Sequence, residues 1–209
     1  MNLYAKNFLA PLCLGVFFSA SGLVSVSYAD VTEDLKSCAN CHGEDGASTD
    51  PHVPIIGGMS AIVLEDAMTA YRDEERSCPE YEYPEGPNKG DKTTMCKIAA
   101  DISEKDTKAL AEHLAGKPFV RAKQEFDAAL AEKGKEVHDE LCEKCHSEAG
   151  SLASDDAGML AGQWMPYLED TFKDYSDGKR PMTKKMKKKM DKLDDASTKA
   201  LINYYGSFK

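Results

Sequence analysis

Cys38-Ala39-Asn40-Cys41-His42 and Cys142-Glu143-Lys144-Cys145-His146 are two copies of one pentapeptide, Cys-x-x-Cys-His, in a chain of 209 residues. On a helical turn, residues i, i+3 and i+4 share a face. Two thiols so placed reach the two vinyl groups of one porphyrin while the following imidazole meets its iron, which makes the motif an attachment site for a c-type haem. A redox Cys-x-x-Cys pair and half of a zinc site are the alternatives. Two copies, each followed by histidine and both behind an export signal, favour haem. The reading assigns Cys38, Cys41, Cys142 and Cys145 to thioether attachment of two haem c groups, with His42 and His146 as proximal iron ligands.

The export signal is read in residues 1–29. Lys6 supplies the positive start, the run from Phe8 to Leu23 the apolar core, and Ser27-Tyr28-Ala29 the small residues before a cut. A retained membrane anchor is the alternative, but Pro11, Gly15, Ser19, Ser21 and Gly22 interrupt the apolar run, and it is short for a spanning helix. Cleavage near Ala29 is therefore expected, discarding Cys13 and placing the mature chain in the periplasm. Four of the six remaining cysteines belong to the haem motifs. In that oxidising compartment the other two, Cys78 and Cys96, read as a disulfide, two buried free thiols being the alternative.

The chain repeats itself. A shift of 104 residues carries Cys38 onto Cys142, Gly58 onto Gly162, Leu64-Glu65-Asp66 onto Leu168-Glu169-Asp170 and Tyr71 onto Tyr175. Further on the shift becomes 91, carrying Thr107-Lys108-Ala109-Leu110 onto Thr198-Lys199-Ala200-Leu201 and Ile102 onto Leu193. The first half thus holds extra residues around Cys78, Pro79, Pro84, Pro87 and Gly90. The boundary is set near Pro118, giving domains 30–118 and 119–209.

Both halves read as helical. Residues 31–37 and 123–141 lead into the haem motifs, 60–72 and 164–175 carry apolar residues at helical spacing, and 103–114 and 195–208 close the halves. Ser103 with Asp106, and Asp195, mark helix starts. No sustained period-two run points to a sheet. Each unit is small for a core of its own, and a covalent haem would supply the apolar body for its helices to pack around.

The second axial ligand sets the chemistry, because methionine opposite histidine raises the reduction potential and suits electron transfer. Under the 91-residue shift Met95 falls on Met186, whereas Met182 falls on Asp91 and Met190 on Ala99. Met95 and Met186 are therefore the candidate sixth ligands, with Met182 second in line. Met59, Met68, Met159 and Met165 lie on or beside apolar helices and read as core. His52, His113 and His138 read as surface or core residues. The Trp164 indole N–H is placed either to meet a haem propionate or simply to pack in the core.

The formal charge is −10. Against this, Lys179 to Lys192 is rich in lysine around Met186, and reads either as a docking rim for an acidic redox partner or as a solvated loop. An exported acidic protein is a poor candidate for nucleic-acid binding.

From Ala122 to Lys209 the chain resembles the dihaem cytochrome subunit of flavocytochrome c sulfide dehydrogenase. The resemblance rests on Ala122-Lys123-Gln124 with Phe126-Asp127, the second haem motif, Leu160-Ala161-Gly162-Gln163-Trp164 with Pro166-Tyr167-Leu168, and Arg180-Pro181-Met182 with Lys184-Lys185-Met186. In the first half, Cys41-His42-Gly43 followed by Gly46 is similar to many tandem two-haem cytochromes, while the Cys78 to Cys96 region departs from the pattern. The resemblance implies an all-α fold of two tandem class I cytochrome c domains. It also implies a heterodimer with an FAD-containing subunit that oxidises sulfide and passes electrons to the haems, which relay them to an external acceptor. A freestanding dihaem carrier serving a terminal oxidase or reductase is the alternative, and a haem enzyme with an open iron position is a third reading.

The paired motifs have a direct test. Mass spectrometry of the exported protein is expected to show two covalent haem adducts and the loss of residues 1–29; a single adduct would contradict the two-haem reading.

Overall fold

The computed structural model describes residues 28–84 and 86–209, the side chains of 28–30 excepted. The expected leader, with Lys6 and Cys13, lies outside the described residues apart from its last two positions. The first half contains α1 (Tyr28–His42), α2 (Ala61–Arg72), α3 (Met95–Asp101) and α4 (Glu104–Ala115). The second contains α5 (Ala128–Leu141), the single turn α6 (Ser147–Gly150), α7 (Met165–Ser176), α8 (Lys184–Met190) and α9 (Asp195–Gly206). Among the described residues no helix is long and apolar enough to cross a membrane.

Side-chain oxygens start most of these helices by accepting otherwise orphaned backbone N–H groups. Ser103 accepts from Asp106 at the start of α4, Asp127 from Ala129 and Leu130 at α5, and Thr94 and Thr183 from Lys97 and Met186 at α3 and α8. The cap of α9 is Asp194 rather than Asp195, with its carboxylate on the Ser197 N–H. The helix expected from residue 123 begins only at Ala128, where Asp127 caps it. The inserted segment holds a two-residue antiparallel ladder, β1 (Tyr81–Glu82) against β2 (Lys92–Thr93), with Tyr81 opposite Thr93. Strands this short leave no period-two signal.

The repeat is a repeat of structure. Helices α2 and α7 match end to end at the 104-residue shift, and α4 and α9 at the 91-residue shift. The same bonds recur between them. Ile56 N–H donates to the Gly46 carbonyl at 2.9 Å, and Leu160 N–H to Gly150 at 2.9 Å. Gly58 N–H donates to Leu114 in α4 at 2.9 Å, and Gly162 N–H to Tyr205 in α9 at 2.7 Å. Each glycine thus ties the loop after a haem motif to the last helix of its half.

Two cores result. One gathers Met59, Leu64, Ala111 and Leu114 with Met159 from the second half. The other gathers Leu168, Leu201, Ile202 and Tyr205, with Leu201 fully buried. The halves also meet through hydrogen bonds. Gln163, completely buried, accepts from Ile55 N–H at 2.9 Å and donates to its carbonyl at 3.0 Å. Tyr167 N–H donates to the Pro51 carbonyl at 3.0 Å, and Ser77 Oγ to Asp174 at 2.9 Å.

Helices α5 and α9 form the closest helix pair. Gly134 makes that possible, because a Cβ there would run into the Ala200 carbonyl and the Tyr204 side chain. Gly134→Ala is expected to cost about 1–3 kcal/mol from overpacking, measured by urea unfolding. Gly158→Ala, with nothing within 4 Å of the added carbon, is the control and should be near neutral. Equal stability of the two variants would show that the α5–α9 crossing is looser than described.

Candidate haem-binding sites

In the first half, Cys38, Cys41 and His42 close α1, so the three side chains arrive from the last turns of one helix. His42 is buried, and its Nδ1 lies 3.0 Å from the Pro54 carbonyl. A carbonyl only accepts, so Nδ1 carries the proton and Nε2 keeps its lone pair. Burial pushes the imidazole below its ordinary pKa, the Pro54 bond opposing. The ring is neutral and its free nitrogen is the one an iron ligand needs. Beside it, a cavity of about 210 Å³ is lined by Leu35, Cys38, His42, Ile56 and Leu114 among others.

The second half differs in detail. Helix α5 stops at Leu141, and Cys142 caps it with its N–H on the His138 carbonyl. The residues from Cys142 to His146 continue in tight turns, with the N–H groups of Cys145 and His146 both on the Cys142 carbonyl at 3.0 Å. His146 Nδ1 is buried and faces the Gly158 carbonyl without closing a hydrogen bond of ordinary geometry. Gly158 is Pro54 moved by 104 residues. Burial again lowers the imidazole pKa. An orphaned buried nitrogen at this position fits a ring that settles onto Gly158 when iron fixes its far side.

All four motif cysteines are free, and a disulfide joins Cys78 to Cys96. Among the described residues no group of three or more His, Cys, Asp or Glu side chains is placed to hold a metal ion.

Met95 and Met186 are both half-buried at the start of short helices, Met95 the first residue of α3 and Met186 the third of α8. They correspond when counted back from the helix that follows, since Ser103 and Asp194, the caps of α4 and α9, stand at the same distance from each. Counted from their own caps, Thr94 and Thr183, they are two residues out of step. Cys96 follows Met95 directly, so the disulfide anchors the start of α3 to the segment after α2. Met59 and Met159 are buried in the first core.

The remaining candidates have other partners. His138 is completely buried between the Tyr205 hydroxyl at 3.0 Å and Glu143 at 2.7 Å. His52 is exposed and bonded to Asp170 at 2.9 Å, and His113 is exposed. The Trp164 indole donates to the Ser48 carbonyl across the two halves at 3.0 Å, so that N–H is already engaged.

One cluster went unread in the sequence. Arg180 donates to the Tyr167 hydroxyl at 3.3 Å and to Thr171 at 2.9 Å, and its guanidinium lies over the Tyr175 ring at 4.9 Å. Arg76 lies over the Tyr71 ring at 4.2 Å. Among the described residues neither arginine has a carboxylate partner. Burial opposes ionisation of the Tyr167 phenol, yet the guanidiniums of Arg180 and Arg76 outweigh it and lower the phenol's pKa. A field this positive suits an anion, and the two carboxylates of a haem have the chemistry to answer it. The signal was present in the sequence: Arg76 moves onto Arg180 by the same 104 residues that move Tyr71 onto Tyr175.

Comparison with known proteins gives matches over both halves. Residues 32–116 match the family model described as Cytochrome c. Cytochrome c-554(548) of Halomonas halodenitrificans is 30% identical over 81 residues, 39% of this chain and 84% of that protein. Cytochrome c4 of Pseudomonas stutzeri superposes with a TM-score of 0.68 at 22% identity, over 86% of this chain and 97% of the other. Cytochrome c4 of Acidithiobacillus ferrooxidans does so with 0.65 at 22% identity, over 83% and 99%. A thiosulfate dehydrogenase of Marichromatium purpuratum gives 0.64 at 23% identity over 81% of this chain but 36% of that one.

Met95→His and Met186→His should each replace a thioether by a nitrogen donor on one iron and lower that site's reduction potential. The oxidised holoprotein is expected to show the weak long-wavelength absorption of sulfur-to-iron charge transfer, and each variant to lose about half of it. If Met186→His keeps the full band and Met182→His halves it, the ligand of the second site is Met182.

Proposed function

The chain belongs to the cytochrome c family, and from that premise we propose that it is a periplasmic dihaem relay that takes electrons from a sulfide-oxidising flavoprotein subunit. Cytochromes c are electron carriers with covalently bound haem c, whose iron accepts and releases one electron at a time. The proposed attachment is through Cys38 and Cys41 in the first half and Cys142 and Cys145 in the second. His42 and His146, with Met95 and Met186, would supply the ligands of the two irons. The neutral histidines present a lone pair, the methionines a soft donor that favours reduced iron, and Arg76 with Arg180 receive the propionates.

What carries this reading is the duplication of the whole site. A motif histidine whose buried Nδ1 faces the carbonyl twelve residues on, a glycine tie to the last helix and an arginine over a tyrosine ring occur in each half. Gln163 hydrogen-bonds across the halves, which would hold the two proposed one-electron sites in one chain. That suits a donor which, like a flavin, releases electrons in pairs to partners that accept them singly.

The flavoprotein partner rests on the motif runs around Leu160–Leu168 and Arg180–Met186. The likeness of this fold to 36% of a thiosulfate dehydrogenase supports a sulfur-oxidising setting. A second reading, a freestanding carrier to a terminal oxidase or reductase, is favoured by the cytochromes c4, whose chains this one matches almost throughout.

Native purification from the periplasm separates the two. The proposal expects an FAD-containing subunit to co-elute and sulfide to reduce both haems of the complex. A chain that elutes alone, and whose haems sulfide leaves oxidised, is the freestanding carrier.

A further inference from the structure

Helix α5 carries one completely buried histidine, His138, and both of its ring nitrogens have side-chain partners. Nε2 lies 2.7 Å from a Glu143 carboxylate oxygen, and Nδ1 lies 3.0 Å from the Tyr205 hydroxyl. The bond to His138, and after it the Glu148 N–H at 3.1 Å, hold the Glu143 carboxyl below the usual carboxylate range, while burial holds the Tyr205 phenol well above its own. Glu143 is therefore an acceptor and Tyr205 an intact hydroxyl. A neutral ring donates from Nε2 to the carboxylate and accepts from the phenol at Nδ1; a cationic ring donates from both nitrogens, and the hydroxyl turns to accept. The pocket satisfies both charge states with every heavy atom in place. His42 has no such freedom, since the Pro54 carbonyl only accepts.

These three residues bracket the second attachment site. The His138 carbonyl accepts from the Cys142 N–H at 2.8 Å and the Glu143 N–H at 3.0 Å, and Glu143 stands between the two motif cysteines. Cys142 packs against the core that contains Tyr205. The lowered pKa of His146 comes first from burial and, opposed by the Gly158 carbonyl, also from the charge of His138. A charge on His138 is thus felt at the proposed iron ligand. The other titratable groups facing His138 are Glu143 and Cys142 of the motif, Tyr204 with its ring centroid 5.5 Å away, and Tyr205. On its own helix, Lys135 and Asp139 are exposed and paired with each other at 2.5 Å. The first half differs here, because the two shifts place Asp34, Ala39 and Leu114 where the second half has His138, Glu143 and Tyr205.

We propose that His138 is a proton-holding site coupled to the second haem, gaining one proton when that site gains one electron and releasing it when the site is oxidised. The electron comes from the redox partner and the proton from water, with which the Glu143 side chain, 44% exposed, is in contact. With both nitrogens engaged, His138 is not itself an iron ligand. Reduction removes one positive charge from the site, which favours the cationic ring in a buried, weakly screened region. By reciprocity the cationic ring favours the reduced site, so the second potential falls as pH rises through the range where histidine titrates, about pH 5 to 8. The inference rests on the two-haem reading. Two haem adducts by mass establish that reading before the test begins, and a single adduct would overturn both.

The test is a redox titration of the full holoprotein at a series of pH values across that range. At a fixed electrode potential the ratio of reduced to oxidised haem should be at least ~5-fold higher at the acid end for one of the two haems, the lower end of ordinary coupling between sites. His138→Gln keeps hydrogen-bonding groups for both partners but holds no proton, and should abolish the dependence of that haem alone. Glu143→Gln withdraws the carboxylate that favours the cation and should move the dependence to lower pH. A wild type without pH dependence, or a dependence that survives His138→Gln and so belongs to the haem carboxylates, would overturn the proposal. Nitrogen-15 spectra of the histidine rings read the charge state directly and need no variant, so they keep the test should a substitution cost the protein its fold. His138 is expected to gain its proton at higher pH in the reduced protein than in the oxidised one. A His138 that keeps one charge state, or titrates alike in both, would be a purely structural residue and would overturn the proposal.

Discussion

When α1 docks in the first half, the His42 ring is left almost without water, and the Pro54 carbonyl takes over the hydrogen bond its Nδ1 would otherwise lose. That bond requires residues 43–58 to double back on the helix. The Gly46 carbonyl holds the reversal by accepting from both Ile56 and Gly57, and Gly58 passes it on to Leu114 in α4. Imidazole orientation, loop and last helix are thus linked in one chain of bonds. The second half repeats the bonds from Leu160 to Gly150 and from Gly162 to Tyr205, while His146 faces Gly158 without bonding it. A ring held on one side by the backbone and open on the other is the arrangement that fixes a metal ligand's direction.

The halves are joined where the repeat diverges. Gln163 stands 104 residues after Met59, and its amide spans the interface where Met59 merely fills the first core. Met159 stands in the place of Ile55 and enters the first half's core from the second. Trp164 takes the place of Ser60 and reaches the Ser48 carbonyl. At these few positions the two related faces are complementary rather than equivalent, and the net charge and the lysines of α8 show the same asymmetry at the surface.

Much of this was legible in the sequence, and for a physical reason. Helices α2 and α7, and α4 and α9, carry long amphipathic patterns that repeat with glycines at their loops, so two shifts located both ends of each. The helices around a covalent haem were read from the same pattern together with the motifs, and the class I cytochrome c fold from the family resemblance. The β1–β2 hairpin left no trace, because two-residue strands have no period. The start of α5 was read too early, because residues 123–127 are polar enough for a helix but are held extended, with Ala122 N–H on the Gly162 carbonyl and Asp127 N–H on Asn203. Arg76 and Arg180 repeat at the 104-residue shift, but a repeated arginine looks the same in sequence whether it faces solvent or a buried ring. Their meaning lies in the missing carboxylate, which only the packing reveals.

The central claim is that two one-electron sites with sulfur ligation act in one chain. A spectroelectrochemical titration of the purified holoprotein tests it most directly, counting electrons per chain while following the visible and long-wavelength bands. The account requires two electrons per chain, each taken up in a one-electron wave, with both irons low-spin throughout. One electron per chain, or a high-spin iron that reacts with peroxide, would contradict it.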